Sequence, residues 1–143
     1  MIVRLATQED LTGIIEVDRL SFANPWDRSF LENIAQAIFL VSGRYELNGF
    51  LIAGYRSRNA SASLLKIAVH PEHRRKGIAT DLINKLVEML RDRQIAQVEV
   101  IVLETCIPAI ALYEKIGFTM VSKIPQTSYQ DDLWVMKLEL TQD

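Results

Sequence analysis

A strand, a basic turn and a helix follow one another without a gap between Leu64 and Leu90, and no other feature restricts the fold as much. Leu64-Leu65-Lys66-Ile67-Ala68-Val69 is a β-rich run closed by His70-Pro71, where proline has no N–H to continue a ladder. From Ile78 to Leu90 the apolar residues Ala79, Leu82, Ile83, Leu86 and Leu90 recur at helical spacing, and Thr80, Asp81, Asn84, Lys85 and Glu88 mark the wet face. A further buried strand is predicted at Val98–Leu103, and a helix between two strands places them parallel in one sheet. The chain is therefore predicted to be α/β, with ligands at the strand ends near Val69 and Leu103.

The remaining elements fit around this unit. Ile2–Leu5 alternates like a short strand, and Thr7 with Asp10 resembles a helix-opening capping pair ahead of Leu11, Ile14 and Ile15. Pro25 interrupts the pattern, after which Asp27 can cap a second helix carrying Phe30, Leu31 and Ile34. Ile38–Tyr45 and Phe50–Tyr55 read as a hairpin reversing at Asn48-Gly49, and a polar turn at Arg58–Ser61 leads into the central strand. Ile107–Ile116 is a helix stopped by Gly117, and Phe118–Ile124 with Leu133–Leu140 close the series as strands. At 143 residues, 49% of them apolar, the chain is expected to be one domain over 1–143 with a core of its own.

The turn His70-Pro71-Glu72-His73-Arg74-Arg75-Lys76-Gly77 suits an anion. The helix it opens has backbone N–H groups without partners and a partial positive charge at its start, so a phosphate gains hydrogen bonds and electrostatics together. Gly77 allows close approach to the backbone, Ala79 keeps it unobstructed, and Arg74, Arg75 and Lys76 add charge. A basic run of this length in isolation is more simply a solvated turn; the strand before it and the capped helix after it favour a diphosphate site. No Gly-x-x-x-x-Gly-Lys-Ser/Thr string and no Rossmann fingerprint is present. The formal charge of −2 and the lack of stacking aromatics near the turn argue against nucleic acid as partner.

The single Cys106 cannot form an internal disulfide, and with only His70 and His73 beside it no usual zinc set is expected; metal ligands are predicted to be none. Met1–Leu5 runs directly into patterned sequence, and no apolar run approaches membrane-spanning length, so a cytoplasmic protein with no membrane partner is expected.

Arg74-Arg75-Lys76-Gly77-Ile78-Ala79 resembles the Arg/Gln-x-x-Gly-x-Gly/Ala signature of the GNAT superfamily of N-acetyltransferases. Leu65–His73 and Ala109-Ile110-Ala111-Leu112-Tyr113-Glu114-Lys115-Ile116-Gly117-Phe118 are similar to the cofactor strand and the Ala-Leu-Tyr-Glu…Gly-Phe helix of ribosomal-protein-alanine N-acetyltransferases, and Pro25-Trp26 and Pro125…Asp132…Met136 extend the likeness over nearly the whole chain. The resemblance implies a mixed, mostly antiparallel sheet of about seven strands flanked by about four helices, with acetyl-CoA as cosubstrate. It implies that Ile67, Ala68 and Val69 offer backbone groups to the acetyl and pantetheine arm, and that Arg75, Lys76, Gly77, Ile78, Ala79 and Thr80, with Arg74, hold the pyrophosphate. Tyr113 is implied as general acid; amine attack on a thioester expels a thiolate that a phenol in hydrogen-bond reach can protonate. A tyrosine packed through its ring is the plainer alternative for Tyr113.

Three positions depart from that pattern. Ile101 stands where the alanine N-acetyltransferases carry a base-type glutamate; Glu99 shares its strand face about 6.6 Å away, within range of a water relay, and is equally readable as an exposed strand residue. Cys106 replaces an asparagine that contacts the cofactor in relatives, and a small buried thiol is expected there. Lys123-Ile124 replaces tyrosines of the substrate loop. With a weak base, an acceptor must arrive neutral: at pH 7 an α-amine is roughly 10 to 15% neutral and a lysine side chain about 0.04%. A protein N-terminus, as on a ribosomal protein, is thus the favoured acceptor. A small amine, or a non-catalytic acyl-CoA-binding module, are the alternatives.

Overall fold

In a computed structural model of the chain, residues 2–21, 37–44, 46–125 and 131–140 are described. The strands are β1 (Val3–Leu5), β2 (Ala37–Ser42), β3 (Gly49–Arg56), β4 (Ser61–Val69), β5 (Gln97–Leu103), β6 (Thr119–Ile124) and β7 (Leu133–Glu139), and the helices α1 (Leu11–Ser21), α2 (Ile78–Asp92) and α3 (Ile107–Ile116). The expected helix around Phe30, Leu31 and Ile34 lies outside the described residues.

One seven-stranded sheet runs in the order β1-β2-β3-β4-β5-β7-β6. Its neighbours are antiparallel except β4 and β5, which α2 joins as a parallel pair. The mixed, mostly antiparallel architecture expected from the sequence is therefore the observed one. Helix α2 buries Ile78, Leu82, Ile83, Leu86, Val87 and Leu90, each burial contributing about 1.5–3 kcal/mol of gross hydrophobic stabilisation. These side chains meet Leu51, Ala53, Leu64 and Val100 on one face of the sheet, while α1 places Leu11, Ile14 and Val17 against Phe50, Ile52 and Ala68 on the other.

The first helix opens as the Thr7/Asp10 pair foretold. Asp10 Oδ2 accepts from the Thr7 N–H at 2.7 Å and from its hydroxyl at 3.2 Å, and the Arg4 guanidinium forks onto both carboxylate oxygens at 2.8 and 2.9 Å. The hydrogen bonds from Arg4 are the main reason the Asp10 pKa falls to about 2. The hairpin departs from expectation: Gly43 leaves the first strand at φ +111°, and Gly49 is already paired between Ser42 and Val69, so it lies in the strand and not in the turn. A Cβ at Gly49 would lie 2.8 Å from the Ala68 carbonyl, so glycine is required there by close packing within the strand rather than by a turn.

Strand β4 is irregular in two ways. Lys66 pairs with Ile52 but Leu64 pairs with Ala53, so Leu65 is an extra residue, a β-bulge. Because strand side chains alternate, the insertion exchanges the faces: Leu64 joins the α2 side, whereas Lys66 and Ala68 share the α1 side with Ile52. The β4/β5 ladder also stops early. It runs from Ser61↔Gln97 to Leu64↔Val100, although β4 continues to Val69 and β5 to Leu103.

Candidate active site

Beyond Leu64 and Val100 the two parallel strands part, and a cavity of about 780 Å³ opens between them. The unpaired stretch of β4 presents the backbone of Leu65–Val69 along one wall, and Val100–Leu103 and the first turns of α3 form the other. A chain of amide groups laid in this gap can complete the hydrogen bonding that the separated strands no longer give each other.

At one end lies the start of α2. Gly77 is the N-cap at φ +81°, and the Asp81 N–H bonding to the Gly77 carbonyl at 3.0 Å is the first turn of the helix. The preceding amides of Ile78, Ala79 and Thr80 have no intrahelical acceptor by helix geometry. A Cβ built on Gly77 meets nothing within 4 Å, which leaves open space against those donors. Arg75 also adopts a positive φ, of 66°, a conformation rare for a residue with a side chain and one that turns the loop around the helix start. Arg74 Nε donates to the Val69 carbonyl at 3.1 Å, tying the loop to the end of β4. The loop thus fits a diphosphate by backbone donors, partial helix charge and guanidinium groups together.

Of the residues singled out from sequence, Ile67, Ala68, Val69, Arg74, Arg75, Gly77, Ile78, Ala79, Thr80, Cys106 and Tyr113 all line this cavity. Lys76 and Glu99 do not. Lys76 directs its ammonium to within 3.5 Å of His73 Nδ1. Glu99 stands in the closed part of the β4/β5 ladder opposite Ser63, and opposite Lys137 on β7, so sharing a strand face with Ile101 does not bring it into the cavity. Ile101 does line the cavity and is 52% exposed. Cys106, expected to be buried, is exposed at the N-cap of α3. Sequence reasoning missed Ser21, Lys66, Pro108, Ala109 and Leu112 as lining residues. Their periodicity gives Ala109 and Leu112 as one helix face, but Lys66 carries no such signal, because its position depends on the bulge.

Tyr113 packs beside Phe118, with ring centroids 5.5 Å apart. Burial, and secondarily the neighbouring Cys106, push its phenol up to about 12, so the hydroxyl keeps its proton across the range in which amines titrate. His70, Glu72 and His73 bring three potential metal-ligand atoms within 4.8 Å of one another. His70 Nδ1, however, accepts the Glu72 N–H at 3.1 Å, and the Lys76 ammonium faces His73, so the cluster is organised as a capped turn whose cationic neighbours oppose a metal ion. Among the described residues no helix is long and apolar enough to cross a membrane.

The model of the family described as "Acetyltransferase (GNAT) family" matches residues 11–118. The fold is similar to that of the ribosomal-protein-S18-alanine N-acetyltransferase from Escherichia coli, at 24% identity over 99% of this chain and 95% of that one, TM-score 0.87. It is also similar to Arabidopsis thaliana NAA60 in complex with acetyl-CoA, at 20% identity over 97% and 98% of the two chains, TM-score 0.83. The third is yncA, a putative acetyltransferase from Salmonella typhimurium with its cofactor acetyl-CoA, at 20% identity over 100% and 95%, TM-score 0.81.

Proposed function

The chain belongs to the GNAT family of acetyltransferases and so transfers an acetyl group from acetyl-CoA; on that premise we propose that its acceptor is a protein N-terminal α-amine and that Tyr113 is the proton donor for the leaving group. Bound acetyl-CoA supplies the acetyl group as a thioester, whose displacement by an amine releases a thiolate. The amides of Ile78, Ala79 and Thr80, with Arg74 and Arg75, hold the diphosphate, and the unpaired backbone of Ile67–Val69 holds the pantetheine arm. The Tyr113 hydroxyl, protonated to about 12, gives its proton to the departing sulfur, and the proton shed by the acylated nitrogen passes through solvent to restore the phenol.

The acceptor assignment is carried by one observation: among the described residues that line the cavity there is no aspartate and no glutamate. The wall position that a base could occupy is Ile101. Without a carboxylate among these described residues to take its proton, the amine must be substantially neutral on arrival, and at pH 7 an α-amine is neutral several hundred times more often than a lysine side chain. The similarity to a ribosomal-protein-S18-alanine N-acetyltransferase supports the same choice. Release of CoA from acetyl-CoA, followed with a panel of short peptides and free amines, tests it. Turnover of peptides with free N-termini is expected, and turnover of small amines alone would establish the small-molecule alternative.

A further inference from the structure

The cavity passes through the sheet, and its two ends differ in kind. At the α2 end the cations belong to the loop of residues 73–75, whereas at the α1 end, among the described residues, the wall includes Lys66 and Ser21. The β-bulge at Leu65 puts Lys66 there, on the α1 face, away from the basic loop's side of the sheet. Its Nζ lies 2.6 Å from Asp18 Oδ1, and both side chains are withdrawn from water, at 10% and 1% exposure.

Asp18 sits on α1 between Ile14, Val17 and the sheet, in surroundings where apolar side chains would pin the helix without the desolvation that two charges cost. The pair is also oriented. Lys66 lines the cavity and Asp18 does not, so within the ion pair it is the lysine that borders the cleft. We propose that Lys66, held by Asp18, recognises a carbonyl or carboxylate oxygen close to the acceptor amine and turns away polycationic amines. A peptide N-terminus carries such an oxygen on the carbonyl attached to its α-carbon; a polyamine carries none and brings further positive charge. The fixed ammonium attracts the first and repels the second, and selectivity arises as much from the repulsion as from the attraction. This inference rests on the acetyl-transfer function and on the α1 end being the acceptor's side; Lys66 contacts the acceptor and selects it, and carries no proton in the transfer.

The test measures CoA release with two probes, the tetrapeptide amide Ala-Glu-Gly-Gly and spermidine. Wild type is compared with a neutral pair, Lys66→Met with Asp18→Asn, and a reversed pair, Lys66→Glu with Asp18→Lys. Wild type is expected to prefer the peptide, the neutral pair to raise the peptide KM about tenfold with kcat largely kept, and the reversed pair to shift preference toward spermidine. A pair that merely fastens α1 predicts instead that each folded variant keeps the wild-type preference; that result, or a wild-type preference for spermidine, overturns the inference while leaving acetyl transfer in place. Should the reversed pair not fold, the neutral pair decides alone, since it retains no buried charge. Absence of CoA release by wild type with any acceptor would overturn the transfer function itself, and is thereby distinguished.

Discussion

The two ends of the cavity are built by different means. At the α2 end the ligand-facing groups are largely backbone: three amides at a helix start, the edge of a strand that has lost its neighbour, and an open space over Gly77. At the α1 end they are side chains drawn from distant parts of the chain, with Lys66 from β4, Ile101 from β5 and Asp18 on α1 behind them. Backbone donors tolerate changes in surrounding residues and fix a common ligand. Side chains can be exchanged one at a time, so this end is free to define the acceptor. A cradle built this way is compatible with isoleucine, Ile101, at the wall position where a base-type glutamate was expected.

Substitutions separate the two ends by the quantity they move. The largest effect is expected for Tyr113→Phe, which removes the proposed proton donor between them: kcat should fall about 10²–10⁴-fold with CoA affinity nearly unchanged, measured by steady-state kinetics and by CoA titration. Equal loss of affinity would assign Tyr113 to packing. Next, Gly77→Val forces a β-branched residue into positive φ at the helix start, and should raise the KM for acetyl-CoA about tenfold while leaving the acceptor KM alone. On the other side, Ile101→Glu should increase the rate on lysine-type amines several-fold below pH 8, by supplying the missing base. No gain there would show that position 101 is too far from the amine to serve.

The pH profile sharpens the same contrast. With no carboxylate in the described cavity wall, kcat/KM should climb with the acceptor amine's own pKa, near 7.7–8.0 for a peptide, and hold its plateau beyond pH 10, because Tyr113 stays protonated to about 12. An inflection that remains fixed when the acceptor amine is changed would reveal an enzyme base. The smallest effect lies away from both ends. Arg4 lowers the Asp10 pKa from 3.8 to about 2, so this pair's stabilisation is complete above 3.8 and disappears as pH falls toward 2. Asp10→Asn should cost about 1–2 kcal/mol at pH 7, allowing for solvent screening, and flatten that acid limb in denaturant titrations, with kinetics untouched.

The same division decides what could be read from residues alone. The α2 end was legible because its parts are contiguous: Val69, the loop of residues 70–77 and the helix from Ile78 appear in chain order, each with its own periodicity or turn residue. Tyr113, singled out through the resemblance of its helix, lines the cavity as well. The α1 end was not, because it depends on register. A single extra residue at Leu65 moves Lys66 to the face of Asp18, 48 positions away in sequence, and nothing in the local pattern announces a bulge. Glu99 was misplaced for a related reason. Alternation gives its strand face correctly, but only the end of pairing at Leu64↔Val100 shows that the gap opens on the far side of it. The turn assigned to Asn48-Gly49 failed because Gly49 answers to the Ala68 carbonyl across the sheet.

A crystal structure with bound CoA puts the shared cradle to the sharpest test. The diphosphate oxygens are expected within hydrogen-bonding distance of the Ile78, Ala79 and Thr80 amides, and the pantetheine arm threaded between β4 and β5 beyond Leu64 and Val100, its sulfur beside Tyr113. CoA seated elsewhere, or β4 and β5 zipped together past Val100, would contradict this arrangement.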